Sequence, residues 1–344
     1  MSFDKNLRNS ISNNLLHHRL NVKWKPTSKL TTTGEFRTRL FWGEEVNSIP
    51  EFAMQLRNDN EKVNLQKAWI QNKSLVLHSN IERLNIEYRE NNWNVCLGRQ
   101  RINWGVTTTW NPNDIFNAFN FLDFDYEERP GVDGGKFQYM FNNSFNTQVV
   151  YVHTGNRKGN VAAVKYSLNK WQYDLQLITG WYKEHITLGA GWAGNIKDAG
   201  FKGEVQYFFR DNDSTSQFNL TLEGDYMFKN GWYISTGFLF NNNGLYQPIS
   251  NWNNINLNLS PENIMPTRWN FMVTTAKEIT PLLSANLSLL YSPGTNLIIL
   301  LPSFKYNLAS NLDVDIIWQS FFVELKKDFE AVNHRIFLRI KWSF

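Results

Sequence analysis

The chain of 344 residues has one cysteine, Cys96, which excludes an internal disulfide framework and any multi-cysteine metal site. It has no long apolar run. The longest, Leu297 to Leu301, falls far short of the roughly 20 residues that a membrane-crossing helix needs. Charged residues are only 19% of the chain, and a net charge of +4, evenly spread, argues against a nucleic-acid partner. No His-Glu-x-x-His or Gly-x-Ser-x-Gly element occurs, and His17, His18, His78, His153, His185 and His334 are scattered. His17 and His18 are adjacent, so on a strand they point to opposite faces and cannot share a metal. The expectation is therefore no enzyme, no metal and no cofactor. An export leader is also missing. Met1-Ser-Phe-Asp-Lys-Asn has no apolar core ahead of a cleavage site, so a leader is expected to have been removed or to lie upstream.

What the chain does have is aromatic side chains: 14 Trp, 13 Tyr and 25 Phe, in a sequence of polar mean hydropathy, −0.44. That content excludes intrinsic disorder. The apolar residues alternate at period two, the mark of strands with one apolar and one polar face. Phe218, Leu220, Leu222, Gly224, Tyr226 and Phe228 oppose Asn219, Thr221, Glu223 and Asp225. Trp171, Tyr173, Leu175 and Leu177 oppose Gln172, Asp174 and Gln176. Ile336, Leu338, Ile340, Trp342 and Phe344 oppose Arg335, Arg339 and Lys341. No long amphipathic helix competes with this pattern. The protein reads as all-β.

A soluble sandwich buries one face of each sheet and has few large aromatics on the other. A membrane barrel turns its apolar face to lipid, with aromatic girdles at both interfaces, and its polar face to the lumen. Trp24, Trp42, Trp171, Trp181 and Trp342 stand at predicted strand ends, and the complementary faces carry both signs of charge. The expectation is a transmembrane antiparallel β-barrel forming one domain over residues 1–344, with 1–13 poorly patterned. Seventeen strands are predicted, near 14–24, 30–42, 80–90, 92–103, 134–142, 145–154, 159–167, 170–181, 185–193, 199–210, 215–227, 231–241, 266–277, 282–291, 295–306, 311–323 and 333–344. With the last strand running down to the periplasm, the long connections 43–79, 104–133 and 242–265 all fall outside, as bacterial barrels require. Such barrels have even strand numbers, so about 18 strands are expected, 16 being next. The added strand would lie upstream of residue 14, or within 61–79.

The chain ends on Phe344, in phase with Trp342, Ile340, Leu338 and Ile336. This resembles the terminal signature of Gram-negative outer-membrane proteins, which the barrel-insertion machinery reads. A second resemblance lies in Gly98-Arg-Gln-Arg-Ile-Asn-Trp-Gly105, followed by Trp110-Asn-Pro-Asn-Asp114 and Asp123-Phe-Asp-Tyr-Glu-Glu-Arg-Pro-Gly131. The block is similar to one in a porin-like family of Gram-negative outer-membrane barrels, and the likeness covers about residues 80–140. It implies an outer-membrane location and a channel-like role, and it brings no catalytic residues.

The block itself reads as a loop that folds inward. Asn111 suits an N-cap and Pro112 a first helical position, and Ile115, Phe116, Phe119 and Leu122 fall at helical spacing, predicting a short helix from about 112 to 122. Gly105 and Gly131 are expected to bracket the loop through positive φ, whereas Gly134-Gly135 reads as loop punctuation. Asp123, Asp125, Glu127, Glu128 and Arg129 would then face Arg83, Arg89, Arg99 and Arg101 across a constriction. Opposed carboxylates and guanidinium groups select solutes by charge and dipole. The alternative is that these charges only pin the loop. Elsewhere, Glu87, Lys202, Glu204, Arg210, Glu223, Asp225, Asp313, Asp315, Arg335, Arg339 and Lys341 are expected to line the lumen. The loop from Asn241 to Pro266 reads either as a lid or as a surface loop.

The function expected is passive diffusion of small polar solutes, with outer-membrane lipid, those solutes and the insertion machinery as partners. Two alternatives are a loop-plugged barrel that binds or assembles at the cell surface, and a transporter of hydrophobic solutes. A homotrimer is a further expectation, with Ala190, Gly191, Ala193 and Gly194 as weak candidates for its face.

Overall fold

A computed structural model of the chain describes residues 1–4, 7–57, 61–117, 122, 130–155, 157–210, 215–257 and 259–344. Alternation becomes strands throughout. β1 (Ser2–Phe3), β2 (Ser10–Ile11), β3 (Asn14–Trp24) and β4 (Leu30–Trp42) lead into two short helices, α1 (Glu44–Ser48) and α2 (Phe52–Gln55). β5 (Gln66–Gln71), β6 (Leu75–Glu90) and β7 (Trp93–Gln100) precede a long connection. After it come β8 (Val132–Asn142), β9 (Phe145–Val152), β10 (Val161–Lys170) and β11 (Tyr173–Tyr182). β12 (His185–Ile196), β13 (Ala199–Phe209), β14 (Gln217–Met227) and β15 (Trp232–Asn241) run to another. β16 (Trp269–Thr280), β17 (Leu283–Ser292), β18 (Leu297–Ala309), β19 (Leu312–Leu325) and β20 (Asp328–Trp342) complete, among the described residues, a single 20-stranded sheet.

All seventeen expected strands are present, and two of them, 14–24 and 30–42, have the expected bounds. β4 pairs directly with β6, and β5 pairs with the upper part of β6 at Val76 to Asn80, above the stretch that β7 occupies. The connections 43–65, 101–131 and 242–268 lie at one end of the barrel, the loop end; tight turns close the other. With seventeen long strands, β3 and β20 run in the same direction and cannot pair antiparallel with each other. β1 resolves the parity. It pairs antiparallel with β20 through Ser2↔Arg335 and Phe3↔His334, and with β2 through Ser2↔Ile11 and Phe3↔Ser10. The strand expected upstream of residue 14 is thus a two-residue clasp.

The outward face is apolar and open. Trp171 is 74% exposed, Leu177 60%, Leu338 69% and Ile340 67%, and no second layer covers them. A surface of this kind suits hydrocarbon rather than water. Trp171 itself differs from expectation: it sits with Gln172 in the β10–β11 turn, both at positive φ (55° and 65°), as a two-residue hairpin turn requires.

Toward the turn end the inward face carries opposed charges: Lys202 faces Asp225 at 3.7 Å, Lys305 faces Asp313 at 2.9 Å and Arg339 faces Asp315 at 2.7 Å. Toward the loop end it is mixed, with buried Gln217, Asn219, Asn241 and Asn270 beside apolar side chains. In β9, Val150 and Val152 are buried inward while Val149 and Tyr151 are exposed outward. Leu297, Ile299 and Leu301 of β18 are likewise buried. These side chains form two clusters beneath the inward-folded connections. One joins Ile102, Trp104 and Ile115 to β8–β13. The other joins Trp110, Leu122, Ile249, Ile255, Ile264 and Met265 to β15–β19. The connection 242–268 is therefore not a surface loop. It packs inside the barrel mouth, held by Asn241 Nδ2 donating to Met265 O at 2.6 Å.

Several glycines have a different purpose from the one expected. Gly134 and Gly135 lie within β8, paired with Gly98 and Leu97. Gly98, at φ 110°, is the position that needs glycine's conformational freedom. Gly105 and Gly131 supply room instead: a Cβ at Gly105 would meet the Asn111 side chain within 2.6–2.9 Å, and one at Gly131 would come 2.8 Å from Arg99 Cγ.

Candidate functional site

The connection 101–131 enters the lumen and is fastened to the inner wall at successive points. Trp104 Nε1 donates to Gln148 Oε1 of β9 at 2.9 Å, and Gln176 Nε2 of β11 donates to Trp104 O at 2.7 Å. Next comes Glu204 of β13, which is fully buried. The Val106 N–H, the Thr107 N–H at 2.8 Å and the Thr107 hydroxyl at 2.9 Å donate to its Oε1. The Asn113 N–H donates to its Oε2 at 2.8 Å. Glu223 of β14 takes the Thr108 N–H at 2.6 Å. Both carboxylate oxygens of Glu204 therefore serve as acceptors for the loop. Six strands further round, Gln319 Nε2 of β19 donates to Leu122 O at 2.8 Å. The loop thus crosses the barrel interior.

The helix expected over 112–122 is absent from the described part of that stretch, which is built of turns. A helix would direct its backbone donors to carbonyls four residues back. Here Asp114 N–H donates three residues back, to Asn111 O at 3.1 Å, while Asn113 is held on the wall through its backbone N–H to Glu204 and its side chain to Ala190. The apolar positions still point as the pattern implied: Ile115 and Leu122 are buried against the wall. Asn113 comes close enough for its Nδ2 to donate to Ala190 O at 2.8 Å. Gly189 and Gly191 permit this approach. A Cβ at Gly191 would lie 2.9 Å from Asn113 Nδ2, and one at Gly189 2.8 Å from Asn113 Oδ1. The small residues considered for a trimer face therefore include one, Gly191, that faces the lumen and accepts the loop.

Opposite Glu204, about half the circumference away, β3, β4 and β6 carry a charged bank. Arg19 contacts Glu35 at 2.5 Å and Glu82 at 3.6 Å, Arg37 contacts Glu82 at 3.3 Å, and Arg83 contacts Glu35 at 3.9 Å. Arg37 Nε donates to His17 Nε2 at 3.0 Å, and Arg39 Nη2 lies 3.4 Å from His78 Nδ1. Arg19, Glu35, Arg37, Arg39 and Glu82 were not singled out from sequence. The available signal was the alternation of Glu35, Arg37 and Arg39 along one strand face.

The described residues among those expected at the constriction, Arg83, Arg89, Arg99 and Arg101, take separate places. Arg83 belongs to the bank and is nearly buried. Arg99, 1% exposed, sits at a wall junction rather than in the lumen. It contacts Asp133 and Glu61, each at 2.8 Å, and donates to Ile81 O at 3.0 Å and Val63 O at 2.5 Å. Arg101 is exposed just beyond β7 at the loop end. Arg89 lies at the turn end of β6, 3.1 Å from Glu87. Asp123, Asp125, Glu127, Glu128 and Arg129 fall outside the described residues, as does Phe119. Arg210 contacts Glu262 of the inward connection 242–268 at 3.0 Å, and the Arg335 guanidinium lies 5.9 Å from the Phe321 ring. At the C-terminus, Trp342 and Phe344 are exposed with ring centroids 5.2 Å apart.

A closed antiparallel sheet with an apolar exterior, inward charges and a loop folded into its interior is the architecture of a transmembrane β-barrel. Solved barrels share that fold over nearly the whole length of the chain. The outer-membrane protein OpdK of Pseudomonas aeruginosa matches with a TM-score of 0.59 and 9% identity, over 99% of this chain and 94% of that one. Acinetobacter baumannii OccAB4 matches with a TM-score of 0.59 and 9% identity, over 96% and 91%. OpdK solved with vanillate matches with a TM-score of 0.56 and 8% identity, over 96% and 92%. At such identities the likeness is one of fold. No known protein family and no curated protein sequence matches the chain.

Proposed function

We propose that the chain is a channel of the Gram-negative outer membrane that passes small polar solutes by diffusion. The observation that carries this reading is the loop 101–131, docked on Glu204 and Glu223 and set across the lumen from the arginine-rich bank of β3, β4 and β6. A preorganised cationic wall facing a fixed loop filters solutes by size and charge. The apolar outer belt and the likeness to solved outer-membrane porins support the location. Vanillate, present in one of those structures, is a small aromatic carboxylate, a solute chemistry that suits an arginine bank. Exposed Trp342 and Phe344 support recognition by the insertion machinery.

Single-channel recording in planar bilayers tests the proposal. Discrete conductance steps are expected, with a larger conductance and weaker ion selectivity once residues 106–130 are deleted. A folded barrel that never conducts would refute it. The two apolar clusters beneath the inward connections favour a second reading, a plugged barrel that binds a partner at the cell surface. In that case the same deletion would abolish partner binding.

A further inference from the structure

Among the described residues, the pairings that link β3 to β20 run through β1, which is two residues long. On the turn-end side of that clasp both strands have an open edge. β3 pairs with β4 alone, and β20 from Phe337 to Trp342 pairs with β19 alone. Exposure agrees. Nine of the eleven residues of β3 are exposed, on both faces, whereas β14, with a partner on each side, hides alternate residues. Leu16, Leu20, Val22 and Trp24 form the outward lip on β3, and Leu338, Ile340 and Trp342 the one on β20. Both edges therefore cross the apolar belt down to its turn-end tryptophans.

Hydrocarbon offers no partner to a backbone N–H or C=O, so a sheet that spans a membrane leaves no edge open. Only an extended strand satisfies two such edges at once. Its direction is fixed: β3 and β20 both run toward the turn end, so it runs the other way, antiparallel to each. It also makes the number of long strands even. Its register is fixed by β1, which already has that direction. The Met1 amino group donates to Ile336 O and the Ile336 N–H donates to Met1 O, both at 2.8 Å. Continued backwards from Met1, a strand of about six residues lies opposite Phe337 to Trp342. Counting back from Met1, its even places share the outward face with Leu338, Ile340 and Trp342. Its odd places share the inward face with Phe337, Arg339 and Lys341, near Lys23 of β3. The occupant is thus apolar at even places and polar or acidic at odd ones.

We propose that this seam is the slot of an eighteenth strand, supplied by a stretch of the same polypeptide joined to the N-terminal side of Met1. Continuity selects that source. One peptide bond carries β1 into the slot and keeps the Met1 N–H on Ile336 O, whereas a strand from another chain would have to stop against the Met1 amino group. The proposal concerns the wall and holds whatever passes through the lumen.

Two measurements test it. The first is the intact mass of the protein recovered from its native outer membrane, expected to exceed the 40.4 kDa of the 344 residues by at least six residues' worth. A native mass of 40.4 kDa overturns the assignment to this polypeptide. The second compares the 344-residue chain, in lipid vesicles, with two versions extended ahead of Met1. One carries alternating Leu or Val at even places and Thr, Asn or Glu at odd ones; the other carries the same residues shifted by one place, which turns every side chain to the wrong face. The in-phase extension is expected to raise the urea midpoint, and to form a disulfide between a cysteine at its fourth place and Ile340→Cys. The shifted extension is expected to leave the midpoint where it was. Equal midpoints for all three chains, without the disulfide, overturn the slot. A separate peptide of the in-phase sequence that raises the midpoint of the 344-residue chain as far as the joined one does, with a native mass of 40.4 kDa, overturns the proposed source and gives the slot to a partner chain.

Discussion

Glu204→Ala should release the inward loop. The carboxylate takes three backbone N–H groups and one hydroxyl from residues 106–113, all at a fully buried position. Leaving a buried donor unsatisfied costs about 1–3 kcal/mol, so three orphaned N–H groups amount to roughly 3–9 kcal/mol if the loop stayed in place. It will not stay: undocking lets water satisfy those groups. The remaining fastenings are the Thr108 N–H to Glu223, the Trp104, Asn113 side-chain and Leu122 hydrogen bonds, and the apolar contacts of Ile102, Trp104, Trp110, Ile115 and Leu122. Even the low end, about 3 kcal/mol, raises the undocked population roughly 100-fold. Glu204→Gln keeps the shape but sets an amide N–H₂ against incoming donors, so it should act in the same direction and less strongly. Glu223→Ala removes an acceptor from Thr108 only and should cost about 1.5–3 kcal/mol. Because both carboxylates hold one loop, the double variant should fall short of additivity. The assays are mean conductance and current noise in bilayers, and protease cleavage within 106–117 in the folded barrel. Conductance should rise and cleavage should accelerate in the order Glu223→Ala, Glu204→Gln, Glu204→Ala. Unchanged conductance and protection in Glu204→Ala, with the barrel folded, would refute the docking argument.

Three further outcomes are expected. Gly191→Val sets a branched side chain against Asn113 and Gln176, so it should reproduce the open, noisy current of Glu204→Ala without altering barrel stability; silent behaviour in both assays would count against close approach as the glycine's role. Arg99→Ala leaves Asp133 and Glu61 facing each other at the junction, and breaking such a buried cluster costs about 3–5 kcal/mol. Its urea midpoint in lipid vesicles should fall while ion selectivity stays the same; a selectivity change at unchanged midpoint would put Arg99 in the pore. Leu177→Arg places a cation on the outward face of β11 and should destabilise by about 2–4 kcal/mol if that position faces the bilayer midplane. A neutral result there would mean that the outward face is not in hydrocarbon.

The strands were legible because a lipid-facing barrel wall imposes period two over whole strands; Leu338, Ile340 and Trp342 announce their face unaided. What alternation could not show is an inward face that changes character along its length. Leu297, Ile299 and Leu301 face inward yet are apolar, because the connection 242–268 covers them. The short elements were equally hidden. β1 and β2 have two residues each, too few for a period, and β5 is defined by its place beside β6. Within the site, Glu204 and Glu223 were legible as inward charges, but their partners lie some hundred residues earlier in the chain and no local spacing links them. The expected helix failed for a related reason: capping and periodicity describe a segment left to itself, whereas Asn113 is held on the wall by Glu204 and Ala190. The run Gly189-Ala190-Gly191 carried the clue, since glycines repeated on one strand face mark a place where another backbone or side chain comes near.

The clasp formed by Ser2 and Phe3 joins the first and last parts of the polypeptide, with Met1 and Ile336 exchanging backbone hydrogen bonds beside it. Every other adjacent pair of long strands can zip as a local hairpin as soon as both strands exist. This one cannot form until the final strand has arrived. Circularity is therefore the last property the molecule acquires, and a ribbon lacking only that junction would still be an open sheet with two raw borders in the bilayer.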